Sequence, residues 1–159
     1  MAKESDRGAT LVAAAALDDR LLGVLRAFFT DSKASKELLE GYSAPLGTFA
    51  SRASAASALG LIQKNELNEI TIIRKIRNEF GHDWETMSFD TPEVAKYCRK
   101  LPWLGPAEYE SGASHKSRFN AAVAILLTDL MWRELLVGKE KRKDRIWPNK
   151  MRGTGANEA

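Results

Sequence analysis

The chain has one cysteine, Cys98, in 159 residues. No intramolecular disulfide can form, and no zinc site built on paired cysteines is possible. Histidine is scarce as well. His82 and His115 stand too far apart for a short ligand pair, so neither a metal site nor a cofactor is expected. Long apolar runs are missing: Leu11 to Leu17 and Ala121 to Leu127 fall far short of the ~20 residues that span a bilayer. The opening stretch, with Lys3, Glu4, Asp6 and Arg7, lacks the order of a secretory signal and reads as the polar lead-in to a helix. A reducing cytoplasm without membrane association is the expected setting. No segment alternates strictly enough for a strand, and no repeat of about 20–50 residues is present. A Gly-x-Ser-x-Gly elbow and both glycine-rich phosphate loops are also absent, which removes the commonest hydrolase and nucleotide-binding signatures.

What is present is ordinary in bulk. Hydrophobic residues make up 44% and charged residues 28%, the balance of a single globular domain rather than a disordered or fibrous chain. The net charge of +3 gives no strong whole-body attraction to nucleic acid. That average conceals an asymmetry. Met1 to Gly138 holds 17 basic and 18 acidic residues, whereas Lys139 to Arg152 holds seven basic residues against Glu140 and Asp144. The expected division is a helical domain over 1–138 and a basic, flexible tail over 139–159. Such a tail is either a solvated terminus or a salt-sensitive hold on nucleic acid or an acidic partner.

Helical periodicity dominates the first part. From Asp6 to Thr30 a stripe of Leu11, Ala14, Ala15, Leu22, Leu25 and Phe29 recurs at three- and four-residue steps, with Asp18 in phase. A short helix over Ser35 to Glu40 stops at Gly41, and Pro45 suits the first position of the next. That helix, to about Gly60, is rich in alanine and serine, and Arg52 is its only long charged side chain. Asn65 can cap a helix carrying Leu67, Ile70, Ile73, Arg77 and Phe80 on one face and ending at Gly81. Thr91-Pro92-Glu93 starts another, and the last long helix runs from about Ser114 to Val137 with Phe119, Ala122, Val123, Leu126, Leu130 and Arg133 in phase. The fold class is therefore an all-α, single-domain bundle of about six helices, four of them substantial.

Polar residues on apolar helix faces are the candidate site. A charge there is costly unless partnered, so Asp18, Arg52, Arg77, His82 and Arg118 are expected to meet in one pocket or at a dimer interface. The sharpest local cluster is Arg77, Asn78 and His82. On a continuous helix Arg77 and His82 would point about 140° apart, and ending the helix at Gly81 lets His82 fold back. Arginine binds phosphate bidentately, histidine moves a proton near neutral pH, and asparagine supplies a donor and an acceptor. The plain alternative is structural: Arg77 pairs with Asp18, and His82 caps a helix C-terminus. Trp84, Trp103, Trp132 and Trp147 can stack on bases, although tryptophans in a bundle more often anchor loops or core. Cys98, on an amphipathic helix, reads as a buried thiol.

Arg77-Asn78-(three residues)-His82 resembles the R-N-x-x-x-H motif of HEPN domains, small helical domains of which many are dimeric, metal-independent ribonucleases. That resemblance implies phosphate binding by Arg77, acid/base chemistry by His82 and a site-shaping role for Asn78. A wider likeness spans about Arg7 to Leu135. Arg7-Gly8-Ala9 leading into Leu11 to Asp19, then Leu46 to Ile62 (LGTFASRASAASALGLI), Ile70 to His82 and Arg118-Phe119 resemble the mannitol operon repressor family in four ordered blocks. This implies an all-helical transcriptional regulator, expected to act through protein contacts or dimerisation. Asp18, Arg52, Asn78 and Arg118 are the expected binding residues, and the small-residue helix and the HEPN likeness point to the dimer. No helix-turn-helix is recognisable, because the connection from Gly81 to Asp90 exceeds the usual turn of about 3–4 residues. The expected partners are a second copy, a regulatory protein and, through the tail, nucleic acid. A ribonuclease using Arg77 and His82 is the alternative reading, and a small-molecule sensor responding to a sugar phosphate or nucleotide is a third.

Overall fold

Serine and threonine hydroxyls set where most of the helices begin. The computed structural model describes residues 5–82 and 87–151. Helix α1 (Asp6–Phe28) starts where Ser5 accepts a bond from the Gly8 N–H at 3.0 Å. In α2 (Lys33–Leu39) Ser32 plays the same part toward Ser35. A reciprocal capping box of Thr48 and Ser51 opens α3 (Phe49–Ala58). Helix α4 (Lys64–His82) is capped by the Glu66 carboxylate, which accepts from the Gln63 N–H at 2.6 Å. Pro92 leads α5 (Pro92–Cys98), a 3-10 turn follows at Ala107–Tyr109, and Ser114 caps α6 (His115–Gly138). The result is an all-α bundle of six helices, with α1, α3, α4 and α6 the substantial four and no strand among the described residues.

Three helix boundaries differ from expectation. Pro45 does not begin α3; it lies in a turn closed by Gly47 N–H to Ala44 O, while Leu46 N–H bonds back to Leu38 O at 2.8 Å. The capping groups arrive only with Thr48. Asn65 does not cap α4, because Glu66 reaches back to Gln63 and starts the helix earlier. Gly81 does not stop α4, which continues through His82. A glycine inside a helix costs about 1 kcal/mol relative to alanine, a penalty that burial of Ile73, Ile76 and Phe80 in the preceding turns offsets.

Helix α1 lies at the centre, against α6 along its length and against α3 and α4 on its other side. Leu17, Leu21, Val24 and Leu25 from α1 meet Ile70, Ile73 and Ile76 of α4 and Ala122, Leu126 and Leu130 of α6 in one core. The small-residue helix contributes Ala53 and Ala56, both buried, so α3 can approach α1 closely. It ends in a Schellman motif: Gly60 has φ +71°, its N–H reaches Ser57 O, and the Leu61 N–H reaches Ala56 O at 2.8 Å. Phe89 wedges between Phe80 and Phe119 at centroid distances of 5.4 and 5.0 Å, fastening the α4–α5 connection to α6. Cys98 is fully buried, and burial pushes its thiol pKa up to about 12.

Candidate functional site: an arginine-lined groove

The first-turn region of α3 packs beside α1 and α4 and leaves a groove of about 470 Å³ between them. Its floor is Leu11, Ala14 and Ala15 of α1 with Phe49 and Ala50 of α3. Its polar wall is Asp18, Thr48, Arg74, Arg77 and Asn78. Alanines at positions 14, 15 and 50 are what make room. A second depression of about 310 Å³ shares Leu11, Arg77 and Asn78 and adds Arg7, Gly81 and His82.

Asp18 is held from behind rather than by Arg77. The Arg52 guanidinium donates to Asp18 Oδ1 at 2.9 Å, to Leu46 O at 2.9 Å and to Leu39 O at 3.1 Å. One nearly buried arginine thus ties α3, α1 and the loop after α2 together. Arg77 does not sit in the core stripe. It is exposed, and its guanidinium donates to the neighbouring Asn78 Oδ1 at 3.3 Å. The burial cost that would demand a partner for Arg77 therefore does not arise. His82 is also exposed; it follows Asn78 by one helical turn and reaches the smaller depression from the helix itself.

Arg118 stands apart from this group. At the start of α6 it donates to Leu101 O at 3.0 Å, pairs with Glu110 and lies over the Trp103 ring. Those contacts, with Trp103 Nε1–H bonded to Pro106 O, fasten the 101–110 loop. Trp147 carries Arg145 over its ring, and Trp84 lies outside the described residues. Asp18, Arg77 and Asn78 thus line one groove, Arg52 buttresses it, His82 borders the adjoining depression, and Arg118 reaches neither.

Several features escaped the sequence reading. Arg74, one turn before Arg77, shares the groove wall. Its signal was the three-residue spacing from Arg77. Arg133 grips Glu66 through two bonds, at 2.8 and 3.0 Å, and also donates to Leu61 O at 2.9 Å. The outward side of α6 exposes Met131, Trp132, Leu135 and Leu136, three of which border a shallow hollow with Arg20, Asp129 and Glu134. Beyond α6 the chain lies against the end of α1: the Arg142 N–H bonds Phe28 O at 2.7 Å, and Lys141 reaches Arg26 O and Asp31. Among the described residues no cluster of three or more His, Cys, Asp or Glu side chains is placed to hold a metal ion, and no helix is long and apolar enough to cross a membrane.

No family model matches the sequence, and no curated protein matches it. The fold does have a solved counterpart. The chain is similar to one in the X-ray structure of the MtlR-HPr complex from Escherichia coli, with a TM-score of 0.54, 23% identity, and coverage of 86% of this chain and 92% of that one.

Proposed function

We propose that this protein is a transcriptional regulator of the mannitol operon repressor type that works through protein contacts in the cytoplasm, with HPr or a protein like it as partner. The observation that carries this reading is the nearly end-to-end likeness in fold to a chain solved in an MtlR-HPr complex. The four sequence blocks point to the same family. Regulation by docking suits a bundle in which the α4–α5 connection is too long for a helix-turn-helix. A docking surface is available on α6, where Met131, Trp132 and Leu135 are each more than half exposed. Exposed apolar residues in one patch commonly mark an interaction site, and a buried tryptophan is a frequent anchor. Dimerisation belongs to the same proposal.

Titration calorimetry with HPr tests it. Binding should be measurable with the full chain, and Trp132→Ala should weaken it by about tenfold or more, the effect of losing one anchor. Absence of any binding would sink the reading. Light scattering that shows only monomer at high concentration would remove the dimer.

One observation favours a second reading. Arg77, Asn78 and His82 border the same depression, the grouping that an HEPN-like ribonuclease requires. In that reading Arg77 binds the scissile phosphate, and the ribose 2′-oxygen attacks phosphorus as the bond to the 5′-oxygen breaks. The 2′-hydroxyl gives up its proton, the leaving 5′-oxygen gains one, and His82 carries the proton transfer. The products are a 2′,3′-cyclic phosphate and a 5′-hydroxyl. RNA cleavage that survives a chelator and disappears in His82→Ala would support it. Intact RNA after incubation with wild-type dimer would dismiss it.

A further inference from the structure

The groove between α1, α3 and α4 is chemically lopsided. At one end Arg74 and Arg77 sit one turn apart on α4, where like charges repel. Among the described residues, Arg74 has no hydrogen bond or ion pair and Arg77 bonds only the neutral Asn78 amide. The groove's carboxylate, Asp18, is already neutralised by Arg52, which is anchored in turn on two backbone carbonyls. No carboxylate among the described residues pairs with either α4 guanidinium group.

We propose that this groove binds a small phosphate monoester whose body carries hydroxyl groups. Two guanidinium groups match a dianionic phosphate better than a single carboxylate, because each can donate two parallel bonds to it. Toward Asp18 the chemistry inverts. Asp18 Oδ1 is taken by Arg52, while Oδ2 has no protein donor among the described residues and can accept from a hydroxyl. Asn78 can serve as both donor and acceptor at the same wall. Leu11, Ala14, Ala15, Phe49 and Ala50 give the ligand body an apolar floor. A volume of about 470 Å³ suits a small molecule. A continuous nucleic-acid backbone fits poorly, since its phosphates would run past the Asp18 carboxylate. The inference is independent of HPr binding; it shares Arg77 with the ribonuclease reading, and the Arg74→Gln variant and the RNA in the panel separate the two.

The test uses the full chain and a defined panel: glucose 6-phosphate, AMP, inorganic phosphate, glucose, adenosine and a short RNA. Calorimetry and thermal unfolding are read together. At least one ester should bind, and its unphosphorylated parent and inorganic phosphate should bind about 10-fold more weakly or worse. Near 100 times Kd the unfolding midpoint should rise by roughly 5–10 °C. Arg74→Gln and Arg77→Gln, on a wall open to solvent, should each keep the wild-type helical signal and lose about 10- to 100-fold in affinity. Four results would overturn the proposal: no response to either ester at millimolar concentration, unchanged affinity in both arginine variants, inorganic phosphate binding as tightly as the esters, or binding of the RNA alone.

Discussion

Replacing Arg133 by methionine should cost this bundle a large part of its stability, because the arginine is the chief counter-charge to a buried carboxylate. The Glu66 side chain is 6% exposed and that of Arg133 20%. Both carboxylate oxygens accept from the guanidinium, and Oε2 also accepts the Gln63 N–H that opens α4. The same arginine satisfies Leu61 O just after α3. Methionine keeps much of the stem's packing but none of these bonds. Removing one partner of a buried pair costs about 3–5 kcal/mol, since the other charge stays desolvated and alone. For a chain of this length that corresponds to a fall in Tm of roughly 6–20 °C. Urea unfolding followed by circular dichroism measures it directly. The double variant Glu66→Gln/Arg133→Met removes the orphaned charge while an amide oxygen still caps Gln63, so it should recover at least half of the loss. A cost below about 1 kcal/mol for Arg133→Met would refute the argument, as it is the value of a surface pair. A double variant no better than the single one would refute it equally.

Other outcomes follow from the same physics. Burial, reinforced by repulsion from Glu66 and Asp129 and opposed by a bond from Asn65, raises the pKa of Glu69 above 4.5. Its neutral form is favoured in the fold, so Glu69→Gln should stabilise the protein at neutral pH, and the gain should vanish as pH falls below 4.5. Urea midpoints across that range check the sign; a gain that grows on acidification would be the wrong one. Cys98, fully buried with its thiol pKa pushed up to about 12, should resist alkylation in the native protein and react on unfolding in denaturant. Ending the chain after Gly138 should leave the helical signal intact and abolish salt-dependent retention on immobilised RNA or DNA; unchanged retention would exclude the tail as the contact.

The α4 and α6 stripes were legible because burial of one helix face leaves a three- and four-residue rhythm that survives any tertiary arrangement. The α1 stripe was displaced: Leu11 and Ala15 are exposed, and Leu17, Leu21 and Val24 join Ala14 and Leu25 on its buried face. Ser114 and the Ala-Ser composition of α3 were equally readable, since capping and close approach are local chemistry. Boundaries set by distant groups were not. Pro45 looked like a helix start, but Leu46 is tied to Leu38 and the capping box comes later. Gly81 looked like a stop, but the buried faces of the preceding turns carry α4 past it to His82.

The candidate site divides in the same way. Phase alone singled out Asp18 and Arg52 as polar residues that needed company, and they pair. Phase could not say who partners whom. Arg77 shares the heptad rhythm of its helix, yet it lies where α4 meets the groove instead of the core, so its charge stays in solvent. Arg118 has the same sequence credentials and ends at the far loop, held by Leu101 and Glu110. Sequence by itself determined which polar side chains fall in phase with apolar ones, because that depends only on helix period and residue chemistry. The tertiary structure decided which of them share a groove, because that depends on how three helices cross, and crossing is settled by side-chain shape across distant parts of the chain.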